Sequence, residues 1–257
     1  MSNKAVFLAL LAFLVQTFLC FSADDPASKV TAQSLLDDVV IQLPQDQIKI
    51  SGTLCVRQRK GVVVRELRFE MDCNWGAQPS TVKYTIMDAF GAELEQMTVK
   101  RPEGGQAEYL YLTGAPPVSA AVPDLTKAIQ ESDISWLDLT LSFLWWKGGE
   151  IKGSEEVKGR DCYIVEIPAP APSSQSFAKA KLWIDKKLHM LLQAENLNVD
   201  GKLTRKLWIK SFKKINDRWI IKDMEIEGYP STHRTKLRIQ EVDSATFKAK
   251  DLDKDPL

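Results

Sequence analysis

The sequence predicts a mainly β protein with few helices: a single curved antiparallel sheet forming an incomplete barrel, with helices covering the concave side. Three observations carry this expectation. About a dozen segments alternate apolar and polar residues, the period-two signature of strands with one buried face. Short turn signals separate most of these segments, whereas a parallel crossover needs roughly a dozen residues or more. No long linker divides the strands, and an open sheet of that size curls on itself.

The clearest stretch is residues 177–229. It runs through Ala180-Lys181-Leu182-Trp183-Ile184-Asp185, Leu191-Leu192-Gln193-Ala194-Glu195, the turn Asp200-Gly201, residues 203–212, a turn at Asn216-Asp217 and residues 219–227. Asp-Gly between alternating segments signals a tight hairpin turn with positive φ at both central residues. Ala180, Leu182 and Ile184 share one face, and Lys181, Trp183 and Asp185 the other. Trp183, Trp208 and Phe212 fall among lysines on the polar faces, which predicts that this side also meets something apolar. Either a helix or second sheet covers it, or it borders a cavity for a greasy ligand.

Residues 30–43 read as a helix, with Leu35, Leu36, Val39, Val40 and Leu43 on one face and Pro44 as the stop. Residues 47–59 and 62–74 flank Lys60-Gly61 as a first hairpin. Residues 81–90 and 93–101 flank Gly91 as a second, and 106–113 is a further strand. Residues 114–123 hold Pro116, Pro117 and Pro123, which excludes a central strand or a helix interior. Residues 124–130 predict one or two helical turns capped by Asp124.

Residues 135–146 fit two periods. Trp136, Leu139, Phe143 and Trp146 have helical spacing, while Leu137, Leu139, Leu141 and Phe143 alternate; a mostly helical or irregular segment is expected. Its aromatic content exceeds what a loop needs. Either it packs into the concave side as core, or it is a movable lid over a hydrophobic cavity. The candidate cavity and lid residues are Trp136, Leu139, Phe143, Leu144, Trp145 and Trp146. Residues 151–157 and 160–167 form a hairpin about Lys158-Gly159, followed by a Pro/Ser-rich loop over 168–176. Residues 233–242 give the last strand, and Phe247 anchors a solvated tail. The carboxylates of residues 251–255 begin like a calcium loop, but Pro256 stands where such a loop requires glycine.

The balance of 34 basic and 34 acidic residues gives no electrostatic footprint for nucleic acid. Lys4, the apolar run 5–15 and small residues at Cys20, Ser22 and Ala23 predict a signal peptide over 1–23, with a single domain over 24–257. The alternatives are an uncleaved membrane anchor or a lipidated Cys20. Beyond the signal, Cys55, Cys73 and Cys162 are odd in number, so at least one is unpaired in a monomer. The first hairpin puts Cys55 nearly opposite Glu66 and Cys73 nearly opposite Ile48, which favours buried free thiols. Neither His189 nor His233 has a partner at metal-ligand spacing, and Glu155 and Glu156 face opposite ways on a strand. Known hydrolase, phosphate-loop and zinc motifs are absent, so no catalytic, cofactor or metal residue is predicted.

Several segments together resemble the outer-membrane lipoprotein-sorting proteins of the LolA-like family. They are Asp133-Ile134-Ser135 through Phe143, Glu155-Glu156-Val157-Lys158-Gly159-Arg160-Asp161-Cys162-Tyr163, Lys181-Leu182-Trp183-Ile184-Asp185, Asp200-Gly201-Lys202-Leu203, and Arg218-Trp219 through Glu225. The resemblance implies an incomplete antiparallel barrel closed by helices. It also implies a non-enzymatic periplasmic carrier, shielding the acyl chains of a lipoprotein or lipid for sorting to the outer membrane. Inner- and outer-membrane receptor proteins are the further partners it suggests, with the carrier itself a monomer. The alternative on the same fold is a lipid- or lipoprotein-sensing interaction module. The arginine that locks the lid in such carriers has no unambiguous counterpart: Arg57, Arg59 and Arg65 all remain open.

Overall fold

The computed structural model describes residues 30–170, 177–215, 218–244 and 247–249. The expected signal segment, the Asn216-Asp217 turn, most of the Pro/Ser-rich loop and the acidic tail lie outside these residues. Helix α1 (Ala32–Ile41) leads into β1 (Ile48–Gln58), β2 (Val63–Asn74), β3 (Ser80–Met87), β4 (Glu93–Arg101), β5 (Glu108–Thr113) and β6 (Val118–Ala120). The short helix α2 (Trp136–Leu139) follows. Then come β7 (Glu150–Val157), β8 (Arg160–Pro168), β9 (Lys179–Asp185), β10 (Leu191–Leu197), β11 (Leu203–Ile215), β12 (Arg218–Gly228), β13 (His233–Ser244) and β14 (Phe247–Ala249).

These fourteen strands form one antiparallel sheet in the order β6-β5-β4-β3-β2-β1-β13-β12-β11-β10-β9-β8-β7, with β14 paired to β13. The first and last long strands, β1 and β13, pair at its centre. Strands β6 and β7, consecutive in sequence, occupy the two open edges. Residues 121–149 must therefore travel from one edge of the sheet to the other. That connection is why the barrel stays incomplete, and it carries the candidate site.

The turns show how the meander is set. Gly61, Gly91 and Gly201 take φ of 89°, 94° and 73°, and each donates its N–H to the carbonyl three residues back. Asp88 and Asn198 reinforce two of these loops by accepting backbone N–H bonds with their side chains. Only the glycine of Asp200-Gly201 is left-handed, not both residues as expected. The loop is a longer, bulged hairpin rather than a two-residue turn. Lys158-Gly159, with φ of 54° and 73°, is the two-residue turn with both φ positive. Residues 124–130 are not helical turns: Asp124 caps a bend by accepting from Thr126 N, and a 3-10 turn spans Ile129–Glu131. Strand β6 appears inside the proline-rich segment, on an edge, where proline is tolerated.

Alternate side chains from both halves of the sheet meet in one core cluster, together with Leu35, Leu36 and Val39 of α1. Thr31 and Ser34 form the capping box that starts α1. Asp38 pairs with His189 Nδ1 at 2.9 Å, and Gln42 bonds the Leu188 carbonyl, which fixes α1 to the turn between β9 and β10. The convex face corrects the expectation of a covering layer. Trp183 packs with Cys162 and Leu192 in a small separate cluster. The Lys181 ammonium lies 4.8 Å from the Trp183 ring centre, and Lys206, Lys210 and Arg234 lie 5.3–5.8 Å from that of Trp208. The long basic side chains themselves cover these rings.

Candidate functional site

The crossing segment is apolar where it meets the middle of the sheet. Ser135 and Asp138 form a capping box that starts α2, and the one-turn helix ends at Leu139, two residues before Leu141, which is left-handed at φ 47°. A 3-10 turn, Ser142–Trp145, completes it. Trp136 is 1 % exposed and stands edge-on to Tyr84 of β3 and Tyr111 of β5, with ring centres 6.4 and 6.2 Å away. Leu139, Phe143 and Leu144 are likewise buried. Trp145 and Trp146 are half-buried; Trp146 packs on Phe143 and, at 5.3 Å, on Phe177 just before β9. All six candidate residues thus lie on one plug that fills the hollow of the sheet. Trp136 touches β3 and β5, Trp145 touches β4, and Trp146 touches the approach to β9.

Polar side chains hold this plug, and they come from strand positions whose register should be apolar. Glu95 and Arg101 share the inward face of β4 with Met97 and Val99. Asn196 shares it with Ala194, Arg205 with Leu207, and Thr235 with Leu237. Each reaches the crossing segment. Glu95 accepts from Gln130 Nε2 at 2.5 Å. Asn196 donates to Asp138 at 3.2 Å, and Arg205 pairs with the same carboxylate at 3.2 Å while donating to the Thr126 carbonyl. Thr235 accepts from Asp133 N at 2.8 Å and donates to Asp133 Oδ2 at 2.9 Å.

Arg101 is the most unusual of these. It is 7 % exposed, and its guanidinium carbon sits 3.9 Å over the Trp145 ring. Its Nη2 reaches the Thr140 carbonyl and Ser142 Oγ only at 3.4 Å, and Nη1 has no partner among the described residues. Burial lowers the Arg101 pKa, opposed by the nearby Tyr84 and Tyr109 hydroxyls. Tyr111, half-buried and bonded to Glu95, is pushed up to about 12 by desolvation and that bond. Of the three arginines left open by the sequence, Arg57 donates to Cys55 Sγ and Arg59 pairs with Glu227 at 2.7 Å. Only Arg65 meets the crossing segment, at Glu131 (3.0 Å) and Gln130 (3.3 Å). Arg101 was missed, although its parity with Met97 and Val99 was a readable signal.

The crossing segment also carries backbone strain, within the plug at Leu141 and just before it at Gln130 and Glu131. Gln130, Glu131 and Leu141 adopt left-handed conformations without being glycine, each costing on the order of 1 kcal/mol.

A polar cleft of about 510 Å³ opens beside the start of the crossing segment, lined by Asp133, Arg205, Tyr229, Ser231 and His233 among others. His233 Nδ1 lies 2.8 Å from Asp133 Oδ2, and Ser231 Oγ donates to Asp133 Oδ1 at 3.0 Å. Serine and imidazole both serve the carboxylate. The serine hydroxyl faces Asp133 Oδ1 and the His233 carbonyl, each at 3.0 Å, rather than the imidazole, so the three do not form a nucleophile relay. Glu155 is likewise occupied, accepting from Trp183 Nε1 at 2.9 Å.

A family model described only as an uncharacterized protein matches residues 91–256. No curated protein matches the chain. Among solved structures, the chain is similar to a DUF1329 family protein from Desulfovibrio piger, with 15 % identity, 83 % of this chain and 91 % of that one covered, and a TM-score of 0.68. It is similar to a candidate outer membrane lipoprotein-sorting protein domain from Vibrio parahaemolyticus at 13 % identity, with 83 % and 92 % covered and a TM-score of 0.68. It is also similar to a LolA superfamily protein from Nitrosomonas europaea at 17 % identity, with 87 % and 95 % covered and a TM-score of 0.64. At these identities the likeness shows the fold.

Proposed function

The chain belongs to the family of uncharacterized proteins matched over residues 91–256 and has a LolA-like fold, and from that premise we propose that it is a non-enzymatic carrier of acyl chains. The observation that carries this reading is the plug: an apolar stretch of the segment strung between the open edges of the unclosed sheet, strained at Leu141 within it and at Gln130 and Glu131 just before it, and held by polar contacts. In the empty protein the plug fills the hollow. When cargo binds, residues 134–146 swing aside and the acyl chain takes the place of their side chains against the sheet.

Magnitudes set the cargo. Trp136, Leu137, Leu139, Phe143 and Leu144 are buried, and exposing such side chains costs roughly 1.5–3 kcal/mol each, on the order of 10 kcal/mol together. A buried methylene returns about 0.8 kcal/mol, so a chain of about a dozen methylenes offsets the opening. Lipid and lipoprotein anchors are of that size. The reading places the protein in the periplasm, shuttling cargo toward the outer membrane. Its N-terminal pattern supports export, and no helix among the described residues is long and apolar enough to cross a membrane.

The test is lipid analysis of the purified protein by mass spectrometry, with binding of a fluorescent acyl probe after delipidation. Co-purifying acyl lipid and saturable binding, weakened by joint Trp145→Asp and Trp146→Asp substitution, support the carrier. Absence of both refutes it. A second reading, a lipid-sensing interaction module, is favoured by exposed apolar hairpin tips: Phe90 is 95 % exposed, and Val62, Val63 and Val64 are exposed too. Pull-down with and without lipid separates the two, since a sensor changes partner and a carrier exchanges cargo.

A further inference from the structure

A buried guanidinium without a counter-ion needs a reason, because leaving such donors unmade forfeits a full desolvation cost. Arg101 is such a group: buried, 3.9 Å over Trp145, and without a described carboxylate in ion-pair range. Its sister on the inward face, Arg205, has Asp138; Arg101 has only a carbonyl and a hydroxyl at 3.4 Å. Both acceptors belong to the plug, and both contacts are long for a charged donor, which normally bonds at about 2.7–2.9 Å. Trp145, itself half-buried, covers one face of the guanidinium.

We propose that Arg101 is the head-group site of this protein, and that the acyl ligand it accepts carries an anionic head, a carboxylate or a phosphate. This rests on the carrier reading and names its ligand class. The anion slides under the edge of Trp145 and forms charge-assisted bonds to Nη1 and Nη2. Nη2 then releases the Thr140 carbonyl and Ser142 hydroxyl. Binding of the head and release of the plug are therefore one event. A neutral acyl compound gains the apolar contacts but breaks the Arg101 contacts to Thr140 and Ser142 with nothing to replace them.

The experiment is competition against a neutral fluorescent acyl probe by tetradecanoate, tetradecyl phosphate and tetradecanol, with wild-type protein, Arg101→Gln and Arg101→Lys. The wild type should prefer at least one anionic ligand over tetradecanol by about tenfold or more. Whether carboxylate or phosphate leads identifies the head. Arg101→Gln should lose that preference while still binding tetradecanol, at least as tightly as the wild type because the clasp is gone, and Arg101→Lys should retain part of it. Retained alcohol binding shows that the variant is folded. Equal competition by charged and neutral ligands in the wild type, or a preference that survives in Arg101→Gln, overturns the assignment while leaving the carrier reading intact. No binding by any of the three removes both.

Discussion

Asp133 and Thr235 bond each other twice: the Asp133 N–H donates to Thr235 Oγ1 at 2.8 Å, and the same hydroxyl donates to Asp133 Oδ2 at 2.9 Å. Asp133 stands at the entry to the plug and Thr235 on β13, the strand that closes the chain onto β1. The pair is where the crossing segment is tied to the centre of the sheet. Thr235→Val keeps the shape and removes both bonds, leaving a buried N–H and a buried carboxylate oxygen short of a partner. A loss of about 1–3 kcal/mol in urea unfolding is expected. An unchanged midpoint would remove Asp133 from the account as an anchor.

Trp136 and Trp145 belong to the same plug but differ in burial, so truncation should separate them. Trp136→Ala opens a cavity between Tyr84 and Tyr111 and should cost about 3–5 kcal/mol. Trp145→Ala removes a half-buried ring and should cost clearly less in the same denaturation experiment. Equal losses would contradict the packing described for the plug.

The thiols give a third check. Cys55, Cys73 and Cys162 are free and buried. Cys55 pairs across from Glu66 and Cys73 from Ile48, the register that the first hairpin predicts. Burial raises the Cys73 thiol and, helped by Asp185, pushes Cys162 up to about 11. At neutral pH the native protein should react slowly with a thiol reagent at Cys73 and Cys162, and all three cysteines should label after unfolding. Rapid native labelling of Cys73 or Cys162 would contradict this environment.

On the convex face, burial alone would raise Asp223, but hydrogen bonds from Arg238, Ser211 and Lys236 outweigh it and hold the carboxyl below its usual range. For Glu225 burial also acts upward and is outweighed by Lys210 and Arg234, and for Asp185 by Arg160 and backbone N–H groups. A carboxylate depressed in the folded state adds stability above its unfolded pKa, about 4. That stability is lost as pH falls through the folded pKa. Unfolding midpoints should therefore hold near neutrality and drop below pH about 4. Asp223→Asn should lower the neutral value and flatten the acid limb. A midpoint that rises on acidification would contradict the assignment.

The sheet was legible because its strands follow period two and its glycine turns sit between them: β1 through β5 and β7 through β13 all fall close to where alternation places them. The edge strand β6 was not, since three residues among prolines carry no period. Trp183 misled for a physical reason. A ring on a polar face reads as a demand for a covering layer, yet same-face neighbours Cys162 and Leu192, a lysine stem and one glutamate satisfied it. The plug was legible as an aromatic surplus but not as a route, because pairing of β1 with β13 is what sends residues 121–149 across the sheet. Its polar footholds could have been read. Glu95, Arg101, Asn196, Arg205 and Thr235 each break an apolar register, and each marks a place where the crossing segment lands.

Hydrogen exchange on residues 134–146, measured with and without a saturating acyl ligand of about a dozen methylenes or more, tests the central claim most directly. If cargo displaces the plug, amide protons of α2 and the 3-10 turn after it lose protection on binding while those of β1 and β13 keep theirs. Unchanged or increased protection across 134–146 in the bound protein would contradict it, for the segment would then be fixed core and the hollow closed to any guest.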